Sequence, residues 1–188
     1  MTNIPSCGGG GWTQVLKMDG EKDTFIYNSK LWTNKETYAM QDGLEGLTEK
    51  ESKLASYWNT PFTKICLGMS YNGTRKWMTV HYTASSLYSL IAEGQFRATT
   101  AGRASWKSLI AGSSLQKYCN KEGFNIPNNV GIKMRIGIVA NEYNNCHSCN
   151  SWIAYGNVVS GMTCGNRARY QGDNGDKDLA TFGYILVQ

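Results

Sequence analysis

The chain has no long apolar run and is poor in proline and in charge. Its 188 residues include 3 prolines and 2 histidines, and charged residues make up 18%. The apolar runs, such as Tyr184 to Val187, end after a few residues. A bilayer span needs roughly 20 apolar residues, so we expect no membrane insertion. With 6 Trp and 11 Tyr the composition is too aromatic for a disordered chain, and it predicts one globular domain over residues 1–188.

Basic residues outnumber acidic ones but form no block. The 19 Lys and Arg and 14 Asp and Glu give a net charge of +5, and both kinds are spread along the chain. A nucleic-acid or membrane-surface site would need a clustered basic patch. We therefore expect no nucleic-acid partner and interpret the excess charge as a contribution to solubility.

The six cysteines indicate an oxidising compartment, but their pairing cannot be read from the sequence. Cys146 and Cys149 have the spacing of a redox pair, yet Asn and Ser flank them where that motif needs a strand and a helix. A zinc site would need a second such pair or spaced histidines, and the chain has only His81 and His147. A glycosylation triplet at Asn72 adds support, so we expect a secreted, extracellular protein. The cysteines are Cys7, Cys66, Cys119, Cys146, Cys149 and Cys164.

Apolar periodicity predicts a mostly antiparallel sheet. Ile132 to Val139 alternates apolar and polar residues, which predicts a strand with one buried face. Asn72-Gly73 supplies the positive φ angles of a tight hairpin between Phe62–Met69 and Lys76–Val80. Further strands are expected over Trp12–Met18 and Phe182–Val187.

Helix signals are few. Thr48 and Glu51 form a capping box, which predicts a helix carrying Leu54 to Trp58. Apolar spacing predicts a second helix over Leu87–Ile91, beginning after Ser85 or Ser86, and a third short one over Ser105–Ile110. Together with the strands, these segments predict the α+β class.

From about Asn141 to Thr181 the periodicity fades, and Asn, Asp, Gly and Ser dominate. We expect a long irregular region, and such regions in compact domains commonly carry function. Its aromatic residues are Tyr143, Trp152, Tyr155 and Tyr170. The other tryptophans occur in periodic segments and are expected in the core; they are Trp12, Trp32, Trp58, Trp77 and Trp106.

The residues do not predict an enzyme. Nucleophilic catalysis needs an oriented base, normally His. His81 falls in an expected strand and His147 lies between two cysteines, with no hydrolase motif around either. A glycosidase would need two carboxylates, which a sequence cannot locate among 14 acids. Hydrolysis is therefore the third hypothesis, and no catalytic residue is predicted.

Segment 172–178 has the composition of a calcium-binding loop. The oxygen-bearing residues Asp173, Asn174 and Asp176 are interspersed with Gly172 and Gly175, which would let a short backbone curl around a hard cation. The segment is not an EF-hand, because Tyr184 occupies the position of the final glutamate. A solvated turn is the alternative interpretation. Asn145 and Asn150 offer further oxygens earlier in the chain, which makes them the other two predicted ligands.

Oxygen ligands beside aromatic rings are typical of a lectin site. A calcium ion with open coordination positions accepts vicinal sugar hydroxyls, while an aromatic ring covers the C–H face of the sugar. We predict that Tyr143, Trp152 or Tyr170 stacks on a sugar. Glu142 and His147 are predicted to bond its hydroxyls.

Two motifs resemble a known family. Cys7 to Thr13 resembles the opening of fibrinogen C-terminal and intelectin-type domains, and Cys146-His-x-x-Asn150 is similar to a stretch near the fibrinogen-like ligand pocket. Nearly the whole chain resembles secreted cnidarian proteins of this kind, from corals and sea anemones. The resemblance includes Phe62–Met69, Ser105–Leu109, Arg135–Ile138 and the ending from Asp173 to Gln188.

This resemblance implies a single fibrinogen-like domain that binds galactose-type sugars through Ca²⁺ as a secreted lectin. Two features depart from the family: the acidic loop before its Cys-His has only Glu142 here, and Cys149 is unexpected. Because one sugar site binds weakly, near millimolar, we expect a homo-oligomer that gains affinity from several sites. The alternative hypothesis is an extracellular or skeletal matrix protein, stabilised by calcium and without sugar recognition.

Overall fold

A computed structural model describes residues 2–127 and 131–188. The protein is built mostly of antiparallel strands, with 41% of these described residues in strands and 12% in short helices. The strands are β1 (Asn3–Ile4), β2 (Gly8–Gly9), β3 (Thr13–Asp19), β4 (Ser52–Lys53), β5 (Phe62–Tyr71), β6 (Thr74–Ala84), β7 (Arg97–Ala98), β8 (Tyr118–Ile126), β9 (Met134–Asn141), β10 (Ser151–Asn157), β11 (Cys164–Ala168), β12 (Lys177–Ala180) and β13 (Phe182–Val187). The helices are α1 (Met40–Leu44), α2 (Ser56–Asn59), α3 (Leu87–Ile91) and α4 (Arg103–Lys107), with a 3₁₀ turn over Lys30–Trp32.

Two antiparallel sheets contribute to the main core. One has the order β4-β3-β13-β5-β6 and the other β12-β11-β10-β9-β8-β7; β1 and β2 form a separate pair. The largest apolar cluster takes Leu67 and Ile185 from the first sheet and Ile136 and Ile153 from the second. The Tyr155 hydroxyl donates a hydrogen bond to the Gly68 carbonyl at 2.8 Å, which connects β10 to β5.

The hairpin prediction is confirmed. β5 and β6 pair up to Tyr71 and Thr74, and the two residues between them have φ angles of +50° at Asn72 and +76° at Gly73. These are the backbone angles of a type I′ turn, whose twist matches that of the strands. The strand at Phe182–Val187 is also confirmed, and the predicted N-terminal strand is β3.

The strand predicted near Ile132–Val139 is present, but the prediction that only one of its faces is buried is wrong. β9 begins at Met134, and all eight of its residues are buried. Arg135 is buried because its guanidinium donates to the Asn125 side chain at 2.9 Å and stacks over the Tyr27 ring at 3.9 Å. The polar residue that the alternation placed on an exposed face, Arg135, is therefore a buried and hydrogen-bonded cation.

The capping box does not start a helix. The Thr48 hydroxyl accepts a hydrogen bond from the Lys17 ammonium, and the Glu51 carboxylate accepts bonds from the Asp19 N–H and the Thr24 hydroxyl. Both side chains thus serve long-range contacts, and α2 is a single turn that begins at Ser56.

The other two predicted helices are present. α3 spans Leu87–Ile91, and Ser86 caps it by accepting the Ser89 N–H at 3.1 Å. The third helix, expected over Ser105–Ile110, is present as α4 but begins and ends earlier. The tryptophans expected in the core are buried except Trp58, which is partly exposed.

The expectation of an irregular region over residues 141–181 is wrong in part, because it contains β10, β11 and β12. Every residue of β10 is buried, including Trp152 and Tyr155. Small residues obscure the apolar–polar alternation that would have predicted these strands. One set of paired positions, running across all six strands of the sheet, consists only of Gly and Ala. Glycine in a strand marks a bend or a close backbone approach, which alternation does not reveal. The row is Ala98, Gly123, Gly137, Ala154, Gly165 and Ala180.

Two disulfides are present, Cys7–Cys66 and Cys119–Cys146. Cys149 and Cys164 are buried and lie outside both bonds. Disulfides of this kind are compatible with a secreted protein. Across residues 2–127 and 131–188, none of the helices has the length and apolar character required to cross a membrane.

Candidate functional site

A buried glutamine connects the two loops in which the sequence places its candidate site. Gln116 is 0% exposed and lies just before β8. Its side-chain N–H donates to the Tyr170 carbonyl at 2.9 Å, and its amide oxygen accepts the Asn150 N–H at 3.2 Å. The amide oxygen also accepts the Ser151 hydroxyl at 3.2 Å. Gln116 therefore holds the loop before β10 against the loop after β11.

Three exposed tyrosines lie on the segments that meet at this junction. Tyr143 and Tyr170 are 65% and 62% exposed, and Tyr118 is 38% exposed. Tyr118 lies two residues after Gln116 and pairs across the sheet with Asn141, at the start of the loop that carries Tyr143. We call the group formed by Gln116, Tyr118, Tyr143, Asn150 and Tyr170 the tyrosine surface.

The backbone at Tyr170 has an uncommon conformation and accepts a hydrogen bond from Gln116. Tyr170 and the following residue, Gln171, have φ angles of +51° and +73°, which are uncommon for residues with a side chain. The hydrogen bond from Gln116 satisfies the Tyr170 carbonyl in this conformation. The ring is thereby presented on a turn whose backbone is fixed from the protein interior.

The loop between β9 and β10 is held by its own amides. The buried Asn141 side chain donates to both the backbone and side-chain oxygens of Asn145, each at 2.9 Å. The Asn145 side-chain oxygen also accepts the His147 N–H at 3.2 Å. The Cys119–Cys146 disulfide fixes the middle of this loop to β8. The oxygen predicted as a metal ligand at Asn145 thus orders the loop.

Asp173 is held by protein cations. One carboxylate oxygen accepts hydrogen bonds from Lys107 and from Arg103, the latter at 3.0 Å, and the other accepts the Leu115 N–H at 3.0 Å. Desolvation opposes ionisation of Asp173, but the bonds from Lys107, Leu115 and Arg103 outweigh it, so its pKa lies below the ordinary value. Asp173 therefore anchors the late loop to α4.

The remaining late-loop residues differ in their contacts. The Asn174 side chain donates to the Ser113 carbonyl at 2.6 Å, and its backbone N–H donates to the Ser114 hydroxyl at 3.0 Å. Gly172 allows this packing, because a Cβ there would lie 2.3 Å from the Ser114 hydroxyl oxygen. Asp176 is exposed on the same turn.

In this arrangement protein donors bond both carboxylate oxygens of Asp173. Over residues 2–127 and 131–188, no group of three His, Cys, Asp or Glu side chains is placed to hold a metal ion, although calcium also takes amide and carbonyl oxygens. The predicted ligands lie on two loops, with Asn145 and Asn150 on one and the Asp173 segment on the other. Residues 115 and 116 form the connection between them.

The predicted sugar-contacting residues are split between surface and core. Tyr143, Tyr170 and His147 are exposed, and Glu142 is partly buried. Trp152 is 1% exposed and packs in an apolar cluster with Val139 and Ile126, so its ring faces other side chains. The predicted stacking residues that reach solvent are therefore the two tyrosines.

Sequence reasoning missed Gln116 and Tyr118 as site residues and the cations Arg103 and Lys107 as partners of Asp173. Gln116 and Tyr170 are 54 residues apart, and Lys107 and Asp173 are 66 apart. No local spacing pattern could have joined them.

A concave region lies beside the β5–β6 turn. Asp19, Glu21 and Glu49 line a polar cavity of about 300 Å³ there. Asp19 accepts the Glu21 N–H at 3.0 Å, and Glu49 accepts the Ser70 hydroxyl at 2.6 Å. These acids serve local structure, and none belongs to the predicted site.

Comparisons of the chain with family models, curated proteins and solved structures found no match. The resemblance to fibrinogen-like lectins therefore stays a prediction from sequence motifs.

Proposed function

We propose that the protein binds carbohydrate at the tyrosine surface. The supporting observation is that Tyr143 and Tyr170 are well exposed on two loops that buried Gln116 connects. Exposed aromatic residues on polar, internally braced loops suit a ligand with an apolar C–H face and a rim of hydroxyls. Tyrosine supplies such contact area at a low cost in side-chain entropy.

Polar groups for the sugar hydroxyls are adjacent to the rings. His147 is exposed on the same loop as Tyr143, and Glu142 precedes Tyr143 directly. A carboxylate accepts from hydroxyls and an imidazole both donates and accepts, so the pair can orient a sugar on the ring. Galactose-type sugars are the proposed class, following the sequence resemblance.

The resemblance also predicts calcium, a fibrinogen-like fold, secretion and a homo-oligomer, and these are further parts of the proposal. Calcium at Asp173 would compete with Lys107 and Arg103. Asp176, the other acid of the predicted set, is exposed on the same turn. Sugar binding and its calcium requirement are therefore tested separately.

A glycan array probed with the purified full chain tests both points, once with calcium and once with a chelator. We expect binding to galactose-terminated glycans. Binding that is lost with the chelator, while circular dichroism is unchanged, supports a calcium-bridged site. Binding that persists supports sugar recognition without calcium. Absence of glycan binding in both conditions overturns the proposal, and calcium-dependent stabilisation in that case would favour the matrix hypothesis.

Variants locate the site. Tyr143→Ala and Tyr170→Ala should each weaken galactose binding about tenfold in titration calorimetry, because each removes a stacking ring. Leu44→Ala is the matched control, since Leu44 is as exposed as Tyr143 but lies on α1. Unchanged affinity in both tyrosine variants would place the sugar elsewhere.

A further inference from the structure

Three cysteines meet beside β8. Cys119 is bonded to Cys146, and the Cys149 sulfur lies 3.7 Å from the Cys119 sulfur in a weak S–H···S contact. Cys149 is 1% exposed and belongs to the apolar cluster that includes Trp152. We call these three residues the cysteine cluster.

The contact places a thiol next to a disulfide, as thiol–disulfide exchange requires. Disulfides isomerise when a thiolate attacks one sulfur of the bond, and the outcome depends on which sulfur is attacked. Here the thiol of Cys149 contacts Cys119, so Cys146 is the sulfur that would leave. We infer that Cys119 is a shared disulfide partner and that the protein interconverts between Cys119–Cys146 and Cys119–Cys149 isomers.

The reaction balances within the cluster. Cys149 gives up its proton and its thiolate attacks Cys119, forming the Cys119–Cys149 bond. The Cys119–Cys146 bond breaks, and Cys146 leaves as a thiolate that takes up a proton. One disulfide and one thiol are present before and after, so the step needs no oxidant or reductant.

Two features of the chain suit both isomers. Cys119 lies in an irregularity of β8, where Tyr118 and Lys121 are the paired residues on either side and the φ of Cys119 is +72°. Its backbone is therefore outside the regular ladder. The sequence separations are 27 residues to Cys146 and 30 to Cys149. Loop-closure entropy thus scarcely distinguishes the two bonds.

The exchange would change the loop between β9 and β10. In the structure Cys146 is tied to β8, one residue beyond Asn145 and one before His147. In the other isomer the tie moves to Cys149, next to Asn150, whose N–H contacts Gln116. The segment from Tyr143 to His147 then loses its covalent anchor. This inference stands whether or not the loop binds sugar.

Peptide mapping of the full chain tests the inference. The oxidised protein is equilibrated, unfolded and alkylated under acidic conditions that stop exchange and expose the buried Cys149, and digested, and fragmentation mass spectrometry locates the alkyl group. We expect both alkylated Cys149 and alkylated Cys146 to be detected, the first from the Cys119–Cys146 isomer and the second from the Cys119–Cys149 isomer. Alkylation at Cys149 with none detectable at Cys146 overturns the inference.

Variants give an independent measurement. In Cys146→Ser the protein should form the Cys119–Cys149 disulfide, and in Cys149→Ser it should hold only Cys119–Cys146. Folded Cys146→Ser protein with thiols at both Cys119 and Cys149 would contradict the exchange. Cys164→Ser is the control, because Cys164 contacts Thr181 and should leave the isomer ratio unchanged.

Discussion

Gln116 donates a hydrogen bond of 2.9 Å to the carbonyl of Tyr170, a residue 54 positions further along the chain. The same side chain accepts the Asn150 N–H, so one buried amide braces both loops of the tyrosine surface. The loops that carry the exposed tyrosine rings are therefore held by hydrogen bonds from a side chain in the protein interior.

Replacing Gln116 with Ala should destabilise the protein by about 3 kcal/mol, because the Tyr170 carbonyl, the Asn150 N–H and the Ser151 hydroxyl all lose a buried partner. Urea unfolding measures the change. Gln95→Ala is the control, since Gln95 is exposed. A loss no larger for Gln116→Ala than for the control would contradict the bracing role.

Asp173→Asn should cost about 1 kcal/mol at pH 7, because the ion pairs with Arg103 and Lys107 are partly exposed and screened. The folded-state pKa of Asp173 is lowered, so its contribution is present above the unfolded pKa of about 3.9 and is lost as pH falls through the folded value. The difference from wild type should therefore vanish in acid.

Urea unfolding from pH 7 to about pH 2 checks this loss. Asp176→Asn serves as the matched control, since Asp176 is exposed on the same turn but, among the described residues, makes no salt bridge such as those from Arg103 and Lys107 to Asp173. A stability difference between wild type and Asp173→Asn that persists unchanged in acid would show that the ion pairs are not its cause.

Lys53 gives a prediction at alkaline pH. Its ammonium is buried and donates to the Leu31 carbonyl at 2.6 Å and to the Asn34 side chain at 2.7 Å. Burial lowers its pKa to about 8, against an opposing effect of Glu36. Between that value and the unfolded pKa of about 10.4 the unfolded chain binds more protons, so stability should rise with pH.

The expected gain is about 2 kcal/mol between pH 8 and pH 10, measured as the difference between wild type and Lys53→Met in urea unfolding. Lys22→Met is the control for general effects of alkali, because Lys22 is exposed. Parallel pH curves for wild type and Lys53→Met would mean that Lys53 keeps its ordinary pKa.

Short sequence motifs predicted the turns and helices that are stabilised by contacts between residues close in sequence. The turn at Asn72-Gly73 and the start of α3 after Ser85 or Ser86 were predicted because the backbone angles and hydrogen bonds that form them involve residues within three positions. The capping box at Thr48 failed for the opposite reason. Its side chains bond Lys17 and Asp19, about thirty residues away, and these contacts replace the local ones.

The candidate site was predictable only in outline. The exposed Tyr143 and Tyr170 come from the segment chosen for its aromatic residues among polar neighbours. Trp152 has similar neighbours in sequence, yet it lies in a fully buried strand. Polar neighbours in sequence could not distinguish the buried tryptophan from the exposed tyrosines, because burial of a strand depends on what packs on both of its faces.

The sequence by itself determined a mostly antiparallel protein with few short helices, a tight hairpin at Asn72 and cysteines suited to disulfides. Only the tertiary structure decided that Cys119 meets both Cys146 and Cys149, that Asp173 pairs with Lys107 and that Gln116 supports Tyr170. Backbone preferences act over a few neighbouring residues, whereas these partners are brought together by sheet register across dozens of positions.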